Sequence, residues 1–582
     1  MNRLIKIKNI LSPSQRLHSL GLLAGVLIGT ALEMLGIGLV LPVIGLILSP
    51  DSLRNHEWAA EIISFLGNPE DSVLITYALA TLVCAYVLKT IFMVVLALFQ
   101  YRFVYRVAAS VSQRLFSCYL RVPYIFHVQN NSSHLLRNLT TESQSFLNSL
   151  EGLMVLITEI TVLCGLFLVL LLVDPLSAVV GAFLILFIVV AIYTLTRSKI
   201  LVLGTRRLMH EGMRTQYIMQ GLATVKEIKL LRREEGFLSQ YGNHNYGLAM
   251  TQASQNFVQA APRFVIELIA VTALVGFIVT QFSQGASIDD ILPVLGVFGA
   301  AAFRMLPSLN RILAAKQRVR FMSVAVDTIH SELEMEEHSE GGEKDTKPFE
   351  FKNNIDFSSV SYKYPSAVKN ALNDLNLVIN QGESIGIIGG SGAGKTTFVD
   401  ILLGLLSPSR GSISVDGVDI ADMTVQWQKS IGYVPQDIRL TDESIKQNVA
   451  LGISEEEIDV YQVTLALKAA KLFDYVCAMP DGIETVVGER GIRISGGQRQ
   501  RLGIARALYH APKILVLDEA TSALDTATES EVMESVKEMQ GEKTLIIVAH
   551  RTSTLINCDR VVRIAHGAIA EIMSREEFQK SL

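Results

Sequence analysis

Uninterrupted apolar stretches constrain this chain more than any other feature. Six fall before residue 315, at about 19–48, 73–100, 148–173, 176–197, 261–282 and 291–314. Each reaches the roughly 20 apolar residues that carry a helix across a bilayer. Only a helix satisfies its own backbone where water is absent. The first stretch is too long for the core of a cleavable leader and reads as a spanning helix. Residues 348–582 read instead as a soluble α/β domain. Half of the 582 residues are hydrophobic, and the mean hydropathy of +0.36 averages over these two unlike parts. The net charge of −5 is too mild for a nucleic-acid partner. The five cysteines, Cys84, Cys118, Cys164, Cys477 and Cys558, are scattered without a CxxC pair. That pattern speaks against a disulfide scaffold and a zinc site.

Charge orients the spans. Residues 1–18 carry Arg3, Lys6, Lys8 and Arg16 and no acid. Basic clusters also follow span 2 (Arg102, Arg106, Arg114, Arg121) and span 4 (Arg197, Lys199, Arg206, Arg207, Arg214). The opposite loops are acidic, with Asp51, Glu57, Glu61, Glu70 and Asp71 in one and Asp289 and Asp290 in another. Basic flanks stay in the cytoplasm, so both termini are expected there. The inside segments 101–147 and 198–260 have few glycine or proline breaks and read as spanning helices that continue past the membrane. Within the second, residues 221–229 (GLATVKEIK) read as a short helix touching a partner domain. The expected division is a transmembrane domain over 1–330, a polar acidic linker over 331–347, and a second domain over 348–582.

The second domain carries the chemistry. A short apolar strand at 385–388 leads into Gly389, Gly390, Ser391, Gly392, Ala393, Gly394, Lys395, Thr396 and Thr397, and then into a helical pattern. This is GxxxxGK[ST] between a strand and a helix. Its backbone N–H groups curl around phosphate oxygens, and the helix N-terminus adds partial positive charge. Lys395 is expected on the β- and γ-phosphates and Thr396 on Mg²⁺. A second apolar strand, 514–517, ends in Asp518 and Glu519, where an open α/β sheet binds ligands. Asp518 is expected as the Mg²⁺ partner and Glu519 as the residue that polarises the attacking water.

The segment after Glu519 reads Ala520-Thr521-Ser522-Ala523-Leu524-Asp525, and upstream lies Ile494-Ser495-Gly496-Gly497-Gln498. Together with the P-loop these resemble the ATP-binding-cassette (ABC) family: its signature, Walker B motif and D-loop, in order and at family spacing. Four more strings fit the resemblance. Tyr364 resembles the aromatic that stacks on adenine, Gln436 the Q-loop glutamine, His550 the switch histidine, and residues 485–491 (TVVGERG) the X-loop of exporters. The signature departs in having Ile494 where Leu is usual. The resemblance implies ATP and Mg²⁺ as cofactors. It implies Glu519, His550 and Gln436 as catalytic, and Thr396, Gln436 and Asp518 around the metal. It also implies that Ser495, Gly496, Gly497, Gln498 and Asp525 serve a nucleotide held between two chains. One chain has one P-loop and one signature, and in this family they lie at opposite ends of the domain. A homodimer is therefore expected, with a heterodimer as fallback.

Six spans ahead of the cassette resemble a type IV exporter half: an all-α membrane domain with long cytoplasmic extensions, fused to an α/β P-loop domain. Charges inside the spans bear on cargo, because each costs roughly 2.5–3.5 kcal/mol at a helix centre. They are Glu33, Lys89, Glu159, Arg263, Glu267, Arg304 and Arg311. For Arg263 and Arg311, near the cytoplasmic ends, pairing or snorkelling stands level with function. Lys89 and Arg304 lie deeper and are expected to face a water-filled cavity that suits an anionic headgroup. Pairing of Glu267 with Arg304 is the alternative. Residues 260–270 and 301–313 resemble the fifth and sixth helices of PglK-type flippases, which implies a polyprenyl-pyrophosphate-linked oligosaccharide as cargo and a bacterial inner membrane as location. A multidrug, lipid A-type or peptide exporter stays open, as does a channel-like protein. The aliphatic spans and the 18 residues ahead of span 1 weigh against drugs and peptides, and Glu519 with His550 against a channel.

Overall fold

A computed structural model describes residues 2–40, 43, 46–47, 70–173, 175–283, 288–339, 350–365, 367–488, 491–521, 526–549 and 551–581. Contacts divide the chain into two units. One comprises Met1–Val122 with Phe126–Glu340, the other Pro123–Ile125 with Gly341–Leu582.

The first unit is helical. Its main elements are α1 (Asn2–Ile10), α2 (Pro13–Gly38), α3 (Asp71–Arg121), α4 (Ser143–Val173), α5 (Pro175–Ala223), α6 (Glu234–Ser283), α7 (Ile288–Phe321) and α8 (Ser323–Ser339). Ser12 opens α2 with a capping box to Gln15. The 51 residues of α3 form one helix about 75 Å long. It contains neither glycine nor proline, the usual causes of a break. Four helical stretches among the described residues are long and apolar enough to cross a bilayer: Pro13–Gly38, Asp71–Arg121, Ser132–Leu172 and Leu186–Ala223. Expected spans 261–282 and 291–314 fall on α6 and α7, where many side chains between 273 and 302 lie outside the described residues. Leu88, Ile91 and Val94 on α3 are exposed, as lipid-facing residues are without lipid.

Beyond the spans the helices make a core of their own. Phe103, Val107, Val111 and Leu115, four residues apart on one face of α3, bury against Phe146 and Leu150 of α4 and Ile329 and Leu333 of α8. That packing reaches into the expected linker. Residues 331–339 are helical and belong to α8, because Leu333 is held in this core. The rest of that linker, 340–347, lies outside the described residues. The short helix expected in 221–229 is found at Val225–Leu231, ended by Arg232 in the left-handed region at φ 54°.

The second unit holds two sheets. Strands β1 (Asn354–Tyr362), β2 (Leu372–Asn380), β4 (Arg410–Val415) and β5 (Val418–Asp419) form an antiparallel sheet in the order β2-β1-β4-β5. Strands β3 (Ser384–Ile388), β6 (Ile431–Val434), β7 (Ile514–Asp518), β8 (Thr544–Val548), β9 (Arg560–Ala565) and β10 (Ala568–Ser574) form the other, in the order β10-β9-β3-β8-β7-β6. Every pairing in this sheet is parallel except β10 on β9. Strands β7 and β8 are buried along their whole length, as in a sheet covered on both faces.

Candidate functional site

Two elements converge at the carboxyl ends of the parallel strands. The loop Gly389–Gly394 leaves β3 and enters α9 (Lys395–Leu402). Two glycines are sterically required. A Cβ on Gly389 would stand 2.4 Å from the Ile564 carbonyl oxygen, and Gly394 sits at φ 108° with Ala371 O 2.7 Å from its virtual Cβ. Buried Trp427 donates from Nε1 to Leu402 O at 2.6 Å and ties down the far end of α9. Lys395 is buried, and its ammonium donates to Gly389 O at 2.9 Å and Gly390 O at 3.2 Å. The ammonium thus lies across the loop that is expected to cradle phosphate. Thr396 is exposed at the first turn of α9. Tyr364 packs its ring edge-on to Tyr362 at 5.0 Å, and its hydroxyl lies 3.2 Å from Thr397 Oγ1.

From β7 comes the acid pair. Asp518 ends the strand, buried at 7 % exposure, and Glu519 follows in the left-handed region at φ 49°. A non-glycine residue there is strained by about 1–3 kcal/mol, as functional residues often are. Gln436, two residues past β6, donates from Nε2 to Glu519 Oε2 at 2.6 Å. Strand order places β6 and β7 side by side, which brings the two residues together. Burial, and then Glu519, push the Asp518 carboxyl up. Burial, and then Asp518, push Asp400 on α9 up to about 6. Lys395 acts on Asp518 in the opposite direction. Buried carboxylates left short of positive charge, beside an exposed threonine hydroxyl, are a donor set that fits a hard cation such as Mg²⁺. Thr396 and Asp518 would hold it, and it would neutralise phosphate charge.

Ser495 caps α10 (Gly496–Leu508) with a capping box: Gln498 N donates to Ser495 Oγ at 3.3 Å, and Ser495 N donates to Gln498 Oε1 at 2.8 Å. Gly496 and Gly497 form its first turn, so free backbone N–H groups point out of the helix start. Leu502, Ile504 and Ala505 of α10 belong to one core cluster, while Ala393, Phe398 and Val399 of the P-loop and α9 belong to another. His550 and Asp525 lie outside the described residues, as do Glu489 and Arg490 of the expected X-loop.

Glu529 was not among the expected site residues. It is buried and accepts from Thr521 Oγ1 at 3.1 Å, Thr554 Oγ1 at 2.7 Å and Arg551 Nη1 at 2.6 Å. It therefore joins the segment just after Glu519 to the one just after His550. A lone Glu at the start of a helix carries no sequence signal for this.

The spans hold a second constellation, and here the structure adds partners that the sequence did not show. Lys89 and Arg304 share an anionic partner. Both pair with Glu33, Arg304 Nε at 2.7 Å and Lys89 Nζ at 3.3 Å. Glu33 is 4 % exposed, so its charge demands such partners. Arg304 does not pair with Glu267. Glu267 pairs instead with Arg263, one turn away, at 2.7 Å. Arg311 pairs with Glu159 at 2.6 Å. The Glu33 group keeps one net positive charge, and the other two pairs cancel.

Comparison with known proteins agrees with this architecture. Residues 372–522 match the ABC transporter family, and residues 55–299 match the ABC transporter transmembrane region. An ATP-dependent lipid A-core flippase of Alkalilimnicola ehrlichii is 30% identical over 482 residues, covering 81% of this chain and 80% of the relative. One of Ralstonia nicotianae is 30% identical over 493 residues, with the same coverage. Among solved structures, that of a bacterial Atm1-family ABC exporter with ATP bound superposes with a TM-score of 0.79 over 97% of this chain and 96% of its own, at 22% identity. The last likeness is one of fold.

Proposed function

The chain belongs to the ABC transporter family, and from that premise we propose that two copies form a flippase for an anionic, glycan-bearing lipid in a bacterial inner membrane. Membrane residence and ATP hydrolysis coupled to transport, with ATP and Mg²⁺, come with the family. In this reading residues 1–330 are the transmembrane domain and 348–582 the nucleotide-binding domain, both on the cytoplasmic side where they leave the bilayer.

The geometry supports the roles of the described residues at the nucleotide, and the family resemblance supplies those of His550 and Asp525. Lys395 leaves the loop carbonyls for the phosphates, and the N–H groups of Gly390, Ser391, Gly392 and Ala393 complete the cradle. Thr397 anchors Tyr364 beside it, where the ring is available to adenine. Glu519, oriented by Gln436, polarises the attacking water, and His550 supports the transferred phosphoryl group. The P-loop and the Ser495 helix pack in core clusters on opposite faces of one sheet, which supports a signature that serves the P-loop of a second copy. Ser495, Gly496, Gly497, Gln498 and Asp525 then serve the nucleotide of the second copy.

The observation that carries the cargo reading is the Glu33 group. Two cations around one buried carboxylate leave net positive charge in a span, which attracts an anionic headgroup. Polyprenyl-pyrophosphate-linked oligosaccharide meets that demand. The names of the relatives favour a second reading, a lipid A-type glycolipid, which is also anionic. Proteoliposomes containing the full chain test both, with fluorescent versions of each lipid and a neutral lipid as control. ATP-dependent transfer of the pyrophosphate-linked glycan between leaflets is expected. Transfer of the lipid A-type molecule alone would replace the first reading with the second, and transfer of the neutral lipid at the same rate would remove both.

A further inference from the structure

A cavity of about 460 Å³ lies in the first unit among α4, α5, α6 and the end of α7. That volume falls within the range of small-molecule sites. Five carboxamides line it: Gln144, Asn148, Gln252, Gln255 and Asn256. None of the five makes a side-chain hydrogen bond among the described residues. Each offers an acceptor oxygen and an NH₂ donor. Gln255 is only 9 % exposed, and its amide, without a protein partner, keeps contact with solvent. A polar occupant would exchange the carboxamides' contacts with water for direct hydrogen bonds.

The charges of the floor cancel. Arg207, 3 % exposed, donates to Glu142 Oε2 at 2.8 Å and to Ser145 Oγ at 3.1 Å. Glu211 is held by Arg214 at 2.6 Å. The lining is therefore rich in donors and acceptors but carries no net charge. Such a lining disfavours a phosphate or a metal ion and suits neutral hydroxyl groups, each both donor and acceptor. Phe321 and Met322 add apolar wall for the C–H faces of a sugar ring.

Depth fits the same occupant. Gln255 precedes the expected start of span 5 by six residues, about 9 Å of helix, and Arg207 follows the expected end of span 4 by ten, about 15 Å. A glycan hanging from a lipid headgroup occupies that layer. We propose that this cavity is a glycan-binding subsite, separate from the Glu33 group, that reads the uncharged sugars of the transported lipid. The proposal rests on the flippase reading above.

The test uses the full chain in proteoliposomes and two probes: a polyprenyl pyrophosphate carrying an oligosaccharide, and the same lipid without sugar. ATPase stimulation is read as a half-saturating concentration. In the parent protein the glycosylated lipid is expected to half-saturate at least tenfold lower. Combining Gln252→Ala, Gln255→Leu and Asn256→Ala should bring the two lipids level. A second measurement needs no variant: a photoreactive oligosaccharide lipid should label peptides containing 144–148 and 252–256. Preference retained in the variant, or labelling confined to other peptides, overturns the subsite and leaves the flippase reading intact. No stimulation by either lipid overturns both.

Discussion

Gln436 Nε2 and Glu519 Oε2 are 2.6 Å apart, joining the loop after β6 to the end of β7. The bond holds the carboxylate of a residue whose backbone is already in a strained region. Glu519→Gln should still bind ATP but hydrolyse it about 10²–10⁴-fold more slowly, the span assigned to a positioned base. Phosphate release from purified protein measures this. Unchanged turnover would remove Glu519 from the chemistry.

Separate cores for the P-loop and the Ser495 helix predict composite sites. Chains with Lys395→Ala alone, or with Ser495→Arg alone, should be inactive as homodimers. Mixing the two should restore activity, because the mixed dimer holds one site with both defects and one with neither. Tagged co-expression and purification of the mixed species gives the measurement. An inactive mixture would mean that each site draws on a single chain.

Glu33 is the shared partner of two cations in the spans. Glu33→Gln would leave Lys89 and Arg304 facing each other uncompensated, a loss of about 3–5 kcal/mol by analogy with broken buried pairs. Thermal unfolding in detergent should reveal it. Replacing all three residues with Gln should restore stability while abolishing lipid transfer. Full transfer by the triple variant would detach this group from the cargo.

Asp400 is held up to about 6 by burial and by Asp518, against 3.8 ordinarily. A carboxyl with a raised folded-state value favours the native state when protonated. Its contribution is present below about pH 4 and is lost as pH rises through about 6. Nucleotide-free protein carrying Asp400→Asn should therefore be more stable at pH 8 by about 1–2 kcal/mol. The gain should vanish near pH 4. A gain independent of pH would point to packing instead of charge.

Glu529 joins the segments that follow Glu519 and His550 through Thr521, Arg551 and Thr554. Glu529→Ala should lower kcat about tenfold or more with little change in the KM for ATP, since binding and positioning are distinct. Glu529→Gln keeps an acceptor for Thr521 and Thr554 and should recover part of the rate. A matching rise in KM would place Glu529 in binding.

The sequence reading and the structure agree where function is written locally. The P-loop strand expected at 385–388 is found as β3, Ser384–Ile388, and the strand expected at 514–517 ends at Asp518 in β7. Both motifs are contiguous, and their chemistry follows from adjacent residues. Pairing across the fold was harder to read. Glu33 lies 56 residues from Lys89 and 271 from Arg304. A list of charges in spans does not say which helices are neighbours. The helix through 331–339 was obscured in the same way. Its composition is polar and acidic, and long-range contacts tie it to the fold, Leu333 in the α3 core and Glu332 to Asn138 and Cys118. The carboxamide cavity draws on separate helices and has no linear signature.

Helix α3 runs 51 residues without a glycine or a proline. It has no joint at the bilayer surface, so it must behave as a lever. A rod of about 75 Å that tilts by about 5° sweeps its far end through about 6–7 Å. Small angular changes at one end become large strokes at the other, and a single glycine near residue 101 should absorb that motion as bending.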